Sequence, residues 1–194
     1  MSSVFAQTGQ RTLKVVLTFL EMAAPPRRPS RPRPLKKLAV LRAEHPTLGF
    51  YRYLYETVGS PWQWTDRRLM GDDELAAIVH DDKVEIYVLF VAGVPAGFVE
   101  LDFRTMGQVE IVLLGLVPEF TGQGLGGFLL DWAVDAAWRP ATEVLKVTTN
   151  TQDHPRALSM YQKAGFNVTR RAESYLVPLA AIEAGTLAAP EQDA

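Results

Sequence analysis

The 194-residue chain has no cysteine. That absence removes disulfide frameworks, thiolate nucleophiles and cysteine-based zinc sites together. Histidine is nearly as scarce: His45, His80 and His154 stand singly, without ligand spacing, and no dedicated metal site is expected. An excess of one charge is also missing. Twenty basic residues face 22 acids, a net charge of −2, so nucleic acid and anionic membranes are not expected partners. Long apolar runs are absent as well, and no segment approaches the length that spans a bilayer. The stretch "RTLKVVLTFLEMAA" has some features of a secretory signal, but its apolar part, Val15 to Leu20, is short, interrupted by Thr18 and followed by Glu21. It reads better as a β-strand, and a cytoplasmic protein is the default expectation.

What remains suits one α/β domain over residues 1–194: 47% of residues are hydrophobic and 22% charged. After the first strand, "PPRRPSRPRPLKK" (Pro25 to Lys37) is an extended, cationic loop in which proline blocks helix and sheet interior alike. It is either a docking site for an acidic partner or nucleic acid, or a solvated, self-repelling linker between strand and helix. "TLGFYRYLYETVG" predicts a helix capped by Thr47 and closed by Gly59, followed by a loop with two tryptophans and a short helix from Asp72 or Asp73. "KVEIYVLFVAGVPAGFVELDFR" predicts a hairpin turning at Ala92 to Pro95, and "QVEIVLLGLV" a third strand. A helix to about Trp138 follows, then a strand in "EVLKVTTN", a helix in "DHPRALSMYQKAG" and a closing strand or strand pair in "FNVTRRAESYLVPL". The tail from about Ala188 is expected to be frayed. An antiparallel meander thus feeds a parallel strand–helix–strand unit, which predicts a mixed α/β sheet with helices on both faces.

The stretch "PEFTGQGLGGFLL", Pro118 to Leu130, joins a nearly all-apolar strand to an amphipathic helix. Leu125, Phe128, Leu129, Trp132, Ala133, Ala136 and Ala137 share one helical face, with Asp131 and Asp135 pointing away. Such a helix start offers unpaired N–H groups and a positive dipole end, and glycine lets an anion approach closely. One reading is a helix start without a ligand. Another is a dinucleotide-binding turn, since Gly122, Gly124 and Gly127 satisfy G-x-G-x-x-G and Glu143 lies about twenty residues on. Its context is wrong, because four residues separate the strand from Gly122 and the preceding strands form a meander.

The third reading is a resemblance. "GLVPEFTGQGLGGFLL" resembles the acyl-CoA-binding motif of the GNAT superfamily of N-acyltransferases, Arg/Gln-x-x-Gly-x-Gly/Ala, with Thr121 in place of the first Arg or Gln. "NTQDHPRALSMYQKAGF" resembles the superfamily's second signature through Asn150, Ala157, Tyr161 and Gly165–Phe166. The hairpin "VAGVPAGFVEL" is similar to its core strands, and the resemblance runs from about Val84 to Val168. It implies a GNAT-like three-layer fold and an N-acetyltransferase using acetyl-CoA, with transfer direct because there is no cysteine to carry an acyl group. Cofactor contacts are implied at Thr121, Gly122, Gln123, Gly124, Leu125, Gly126 and Gly127. Asn150 is implied as a further contact, its plainer role being a turn residue before a helix capped by Asp153. A central strand splayed at a bulge is implied around Leu114, Leu116 and Val117, with Gly115 easing the irregularity. Homodimers are common in families of this kind, so one is among the expectations.

A lysine-like amine is neutral in only about one part in a few thousand at pH 7, a cost of about 4–5 kcal/mol. A base is therefore useful. Glu110, an acid in an apolar strand, is the candidate, and "EIV" resembles the start of the equivalent strand in the histone-acetylating branch. Its plainer reading is a glutamate paired with a cation such as Arg104, with Glu100 and Asp102 as reserve bases. Tyr161 is the candidate acid for the leaving thiolate, its plainer role being packing. Tyr51, Tyr55, Trp62 and Trp64, with Asp66 or Glu56 nearby, are expected to wall an amine acceptor of unspecified identity, or to pack in the core. The competing function is a non-catalytic CoA-binding or anion-docking module.

Overall fold

A computed structural model describes residues 12–27 and 37–185. Most of the proline-rich cationic loop and the whole tail from Ala188 lie outside the described residues.

Seven strands form one mixed sheet. They are β1 (Leu13–Met22), β2 (Leu38–Arg42), β3 (Val84–Val91), β4 (Val94–Asp102), β5 (Gln108–Leu116), β6 (Val144–Asn150) and β7 (Asn167–Leu176), in spatial order β2-β3-β4-β5-β6-β1-β7. The β2–β5 meander is antiparallel, β5 and β6 run parallel, and β1 lies antiparallel to both β6 and β7. The parallel step is bridged by α4 (Leu125–Ala137). The expected meander followed by a strand–helix–strand unit is therefore present.

Helices cover both faces. On one, α4 and α5 (Ala157–Ala164) bury Leu125, Leu129, Ala133 and Tyr161 against Val99, Leu101 and Ile111. On the other, α1 (Leu48–Gly59) and α3 (Asp72–Val79) bury Tyr51, Leu54, Val58 and Leu75 against Ile86, Val88 and Phe98. The four-residue α2 (Asp66–Leu69) links α1 to α3, and α6 (Leu179–Glu183) follows β7. Thr47 caps α1 as expected, its Oγ1 accepting the Phe50 N–H at 3.3 Å.

One element and three local expectations need correction. β2 has no counterpart in the expected element order; a five-residue edge strand is too short to show a clear period of two. Asp131 does not point away from the core: it is buried at 7% exposure, because α4 is enclosed around much of its circumference. Gly59 does more than end α1, since a Cβ there would lie 2.5 Å from the Trp64 side chain, which folds back over it. Gly115 likewise is not explained by the bulge. A Cβ on it would overlap Val58 Cγ1 and meet the Trp64 ring at 3.4 Å, so its missing side chain lets α1 sit close on the sheet.

The α1 side is fastened to the sheet through a buried polar group. Glu100, 1% exposed on β4, accepts the Tyr51 hydroxyl at 2.6 Å and Arg67 Nη2 at 2.8 Å. Burial, then the Glu100 charge, pushes the Tyr51 phenol far above its ordinary range, so it remains a donor. The Arg67 backbone N–H donates to the Tyr55 hydroxyl at 3.2 Å, which ties α2 to α1 a second time.

Two stability outcomes follow. Arg67→Ala leaves a buried carboxylate without its cation and should lower unfolding stability by about 3 kcal/mol in urea denaturation; a loss under about 1 kcal/mol would show that Glu100 does not need that partner. Gly115→Ala should cost about 1–3 kcal/mol through the clash with Val58, and Val58→Ala in the same chain should recover part of it.

Candidate active site

The sheet opens at one place. β5 and β6 are paired only from Gln108↔Val144 to Ile111↔Val147. On the other side of β5, Leu101 pairs with Ile111 but Glu100 pairs with Leu113, so Val112 is one residue extra, a bulge. Past that bulge β5 follows β4 and leaves β6. The bulge thus sits at Val112, two residues before the expected position.

A cavity of about 920 Å³ occupies the wedge. Leu114, Gly115 and Leu116 line it from β5, and Thr148 and Asn150 from β6. Thr121, Gly122, Gly124 and Gly126 line it from the glycine turn, and Met160 and Tyr161 from α5. Of the expected cofactor contacts, Val117, Gln123, Leu125 and Gly127 do not line it. Val117 turns into the α1 side of the core, and its N–H donates to Ala96 O at 2.9 Å. Leu125 is fully buried under α4, and Gln123 folds its amide onto Glu119 O at 2.8 Å.

The glycine turn has the features of an anion cradle. Gly122 and Gly124 adopt φ of +73° and +78°, in the left-handed region, and a Cβ on either would meet nothing within 4 Å. The first backbone bond into α4 is Phe128 N–H to Gly124 O at 3.3 Å, which leaves the Gly124 and Gly126 N–H groups without an acceptor among the described residues. These donors at a helix N-terminus fit the phosphate groups of a coenzyme A. Thr121 does not supply a donor there: its hydroxyl and N–H both turn to Pro118 O, at 2.7 and 3.1 Å.

Across the wedge, Asn150 Oδ1 accepts the Gln152 N–H at 2.7 Å, while its own N–H donates to Asp153 Oδ2 at 2.8 Å. The Asn150 amide nitrogen has no partner among the described residues and remains a donor for a ligand. Asp153 does not cap α5, which starts four residues later behind Arg156. Instead its carboxylate gathers Thr149 Oγ1 at 2.7 Å, the Asn150 N–H and, from the far layer, Trp64 Nε1 at 3.4 Å. Sequence reasoning missed this bridge, whose signal was an acid and a tryptophan 89 positions apart.

Tyr161 packs edge-on against Phe166, with ring centroids 6.0 Å apart, and borders the cavity. Burial, then the Asp153 charge, holds its phenol above the ordinary tyrosine range, so it is a proton carrier at neutral pH. Glu110 lies on β5 beside Asp102 and does not line the cavity. Burial raises its pKa, the Asp102 and Glu100 charges add to that, and Lys146 opposes. Arg104 does not pair with it, because Arg104 Nε and Nη2 grip Asp102 at 3.0 and 2.5 Å. Of the reserve bases, Glu100 and Asp102 are thus both held by arginines. Tyr55, Trp62, Trp64 and Asp66 do border the cavity, whereas Tyr51 is buried on Glu100 and Glu56 is exposed elsewhere.

A model of the acetyltransferase (GNAT) family matches residues 40–166, and the chain belongs to that family. No curated protein is similar enough in sequence to count as a match. Among solved structures, the chain is similar to a GCN5-related N-acetyltransferase of Sphaerobacter thermophilus, with 16% identity and a TM-score of 0.60 over 88% of this chain and 54% of that one. A functionally unknown conserved protein of Staphylococcus epidermidis gives 16% identity and 0.55, over 87% and 64%. An aminoglycoside acetyltransferase from an uncultured soil metagenomic sample, in complex with trehalose, gives 14% and 0.53, over 66% and 87%. The chain thus spans under two thirds of the first two structures. Likeness at these identities is likeness of fold, and it agrees with the GNAT-like sheet described above.

The raised Glu110 pKa has a stability consequence. The folded protein holds this proton more tightly than the unfolded chain, so stability falls as pH rises from the ordinary glutamate value through the raised one. Glu110→Gln should therefore be more stable than wild type at pH 7, with the advantage shrinking toward pH 4. Urea titrations of both proteins check this, and a difference independent of pH would contradict it.

Proposed function

We propose that the protein transfers an acetyl group from acetyl-CoA directly to a primary amine. The observation that carries this reading is the wedge itself: a cavity with free helix-start N–H groups at the glycine turn and a protonated phenol on its wall. Acetyl-CoA would supply the activated acyl group as a thioester. The chain's residues then have separate tasks. The Gly124 and Gly126 N–H groups and the Asn150 amide nitrogen bind and orient the coenzyme arm. The stretch of β5 beyond Ile111, no longer paired with β6, offers backbone groups to the arm and to the thioester carbonyl, where a donor stabilises developing negative charge. The amine nitrogen forms its bond to the carbonyl carbon as the carbon–sulfur bond breaks. Tyr161 holds the proton that the departing thiolate takes, and the amine's own proton leaves to a carboxylate or water.

The base is assigned to Glu110 acting through water, since its raised pKa suits proton acceptance and its place outside the cavity lining excludes direct contact. The competing reading, a non-catalytic CoA-binding module, has the same glycine cradle but predicts no turnover.

Thiol release from acetyl-CoA over a panel of amines separates the two readings. Tyr161→Phe should lower kcat by about 10²-fold or more while CoA affinity, read by calorimetry, stays within about threefold of wild type. Unchanged kcat would remove Tyr161 from the reaction. Because the Thr121 hydroxyl and N–H are spent on Pro118, Thr121→Arg adds a cation at the turn and should tighten CoA; an unchanged affinity would mean that position 121 does not face the phosphates.

A further inference from the structure

One part of the cavity wall is left unexplained by acetyl-CoA. It comes from the end of α1 and the loop running into α2. Tyr55 and Trp64 stand with ring centroids 5.6 Å apart, and Trp62 packs edge-on to His154 at 5.0 Å. Trp64 is held from three sides: its ring lies over Gly59, its edge meets the site of the absent Gly115 side chain, and its Nε1 is tied to Asp153. These rings are therefore pre-positioned and do not need to be ordered by a ligand.

Charge is divided along the same wall. Arg156 borders the cavity one helical turn before Met160, whose sulfur lies 3.8 Å from where a Gly126 Cβ would stand. The Arg156 N–H donates to His154 Nδ1 at 3.1 Å, and both residues border the cavity. Asp66 borders the cavity beside the aromatic residues, and its carboxylate has no hydrogen-bond or ion-pair partner among the described residues. The arginines that follow it are committed elsewhere: Arg67 to Glu100, and Arg68 to Ser60 Oγ at 2.8 Å. Neither lines the cavity.

From this geometry, and resting on the acetyl-transfer reading, we infer that the acceptor is a primary amine with an aromatic or alkyl body and no carboxylate beside the amino group. The aromatic faces of Tyr55, Trp62 and Trp64 attract an ammonium and cover an apolar stem. Asp66 supplies the opposite charge. An α-amino acid would bring its carboxylate toward Asp66, so the site discriminates by repulsion as well as by attraction.

Phenethylamine and phenylalanine form a matched pair that differs by that one carboxylate. With acetyl-CoA and the full chain, phenethylamine should have at least about a tenfold higher kcat/KM. Asp66→Asn should raise its KM about tenfold and narrow the gap, with CoA affinity unchanged. Trp62→Ala should raise the KM for phenethylamine in the same way. Equal use of the two compounds, or a preference for phenylalanine, overturns the assignment. Should CoA bind without any amine being acetylated, calorimetric titration of the CoA complex decides separately. Binding of phenethylamine alone upholds the subsite while the acetyl-transfer reading falls. Binding of both compounds, or of neither, overturns the subsite as well.

Discussion

The structure depends on a single extra residue in its central strand. Val112 breaks the register between β4 and β5, and just there β5 loses its pairing with β6. A parallel pair that continued to Leu116 would leave no room between the strands and no free backbone along β5. Because the pair opens, the glycine turn that follows β5 and the Asn150–Asp153 turn that follows β6 face each other across a gap. Each contributes donors that the sheet does not use. The cavity is therefore a consequence of an interrupted ladder, and the helices only roof it.

Opening a sheet at its centre removes hydrogen bonds, so the two strands must be held in place by other means. On the α4 side, a continuous apolar cluster joins Leu125, Leu129 and Ala133 to Val99, Leu101 and Ile111. On the α1 side, the hold is partly polar, through Glu100 with Tyr51 and Arg67. A third tie crosses the gap itself, where Asp153 accepts from Trp64 on one side and from Thr149 and Asn150 on the other. The same contacts that keep the wedge open thus also orient its wall. Gly59 and Gly115 belong to this set, since both clear space for Trp64.

Much of this was legible in the residues. The two apolar runs and the Ala92–Pro95 turn in "KVEIYVLFVAGVPAGFVELDFR" and the apolar run of β5 announced the meander, and the two signatures around Gly122–Gly126 and Asn150–Phe166 announced the family. Thr47 could be recognised as a cap because a cap bonds within three residues. Less was legible where partners are distant in the chain. Val117, Gln123, Leu125 and Gly127 look like their cavity-lining neighbours in the sequence, and only the folded geometry keeps them out of the cavity wall. Arg104, by contrast, takes the acid nearer in the chain, gripping Asp102 two residues away and leaving Glu110 without it.

The sequence by itself determined the kind of protein: element order, the parallel unit, the glycine cradle and the tyrosine all follow from patterns a few residues long, because helix and strand periodicity and turn chemistry are local. Only the tertiary structure decided which acids are free. Glu100 and Asp102 are held by arginines, Asp153 bridges two layers, and Asp66 alone of the acids bordering the cavity has no partner among the described residues. Whether a carboxylate is paired depends on what stands within a few ångströms of it, and strand order and helix packing, not spacing along the chain, set that distance.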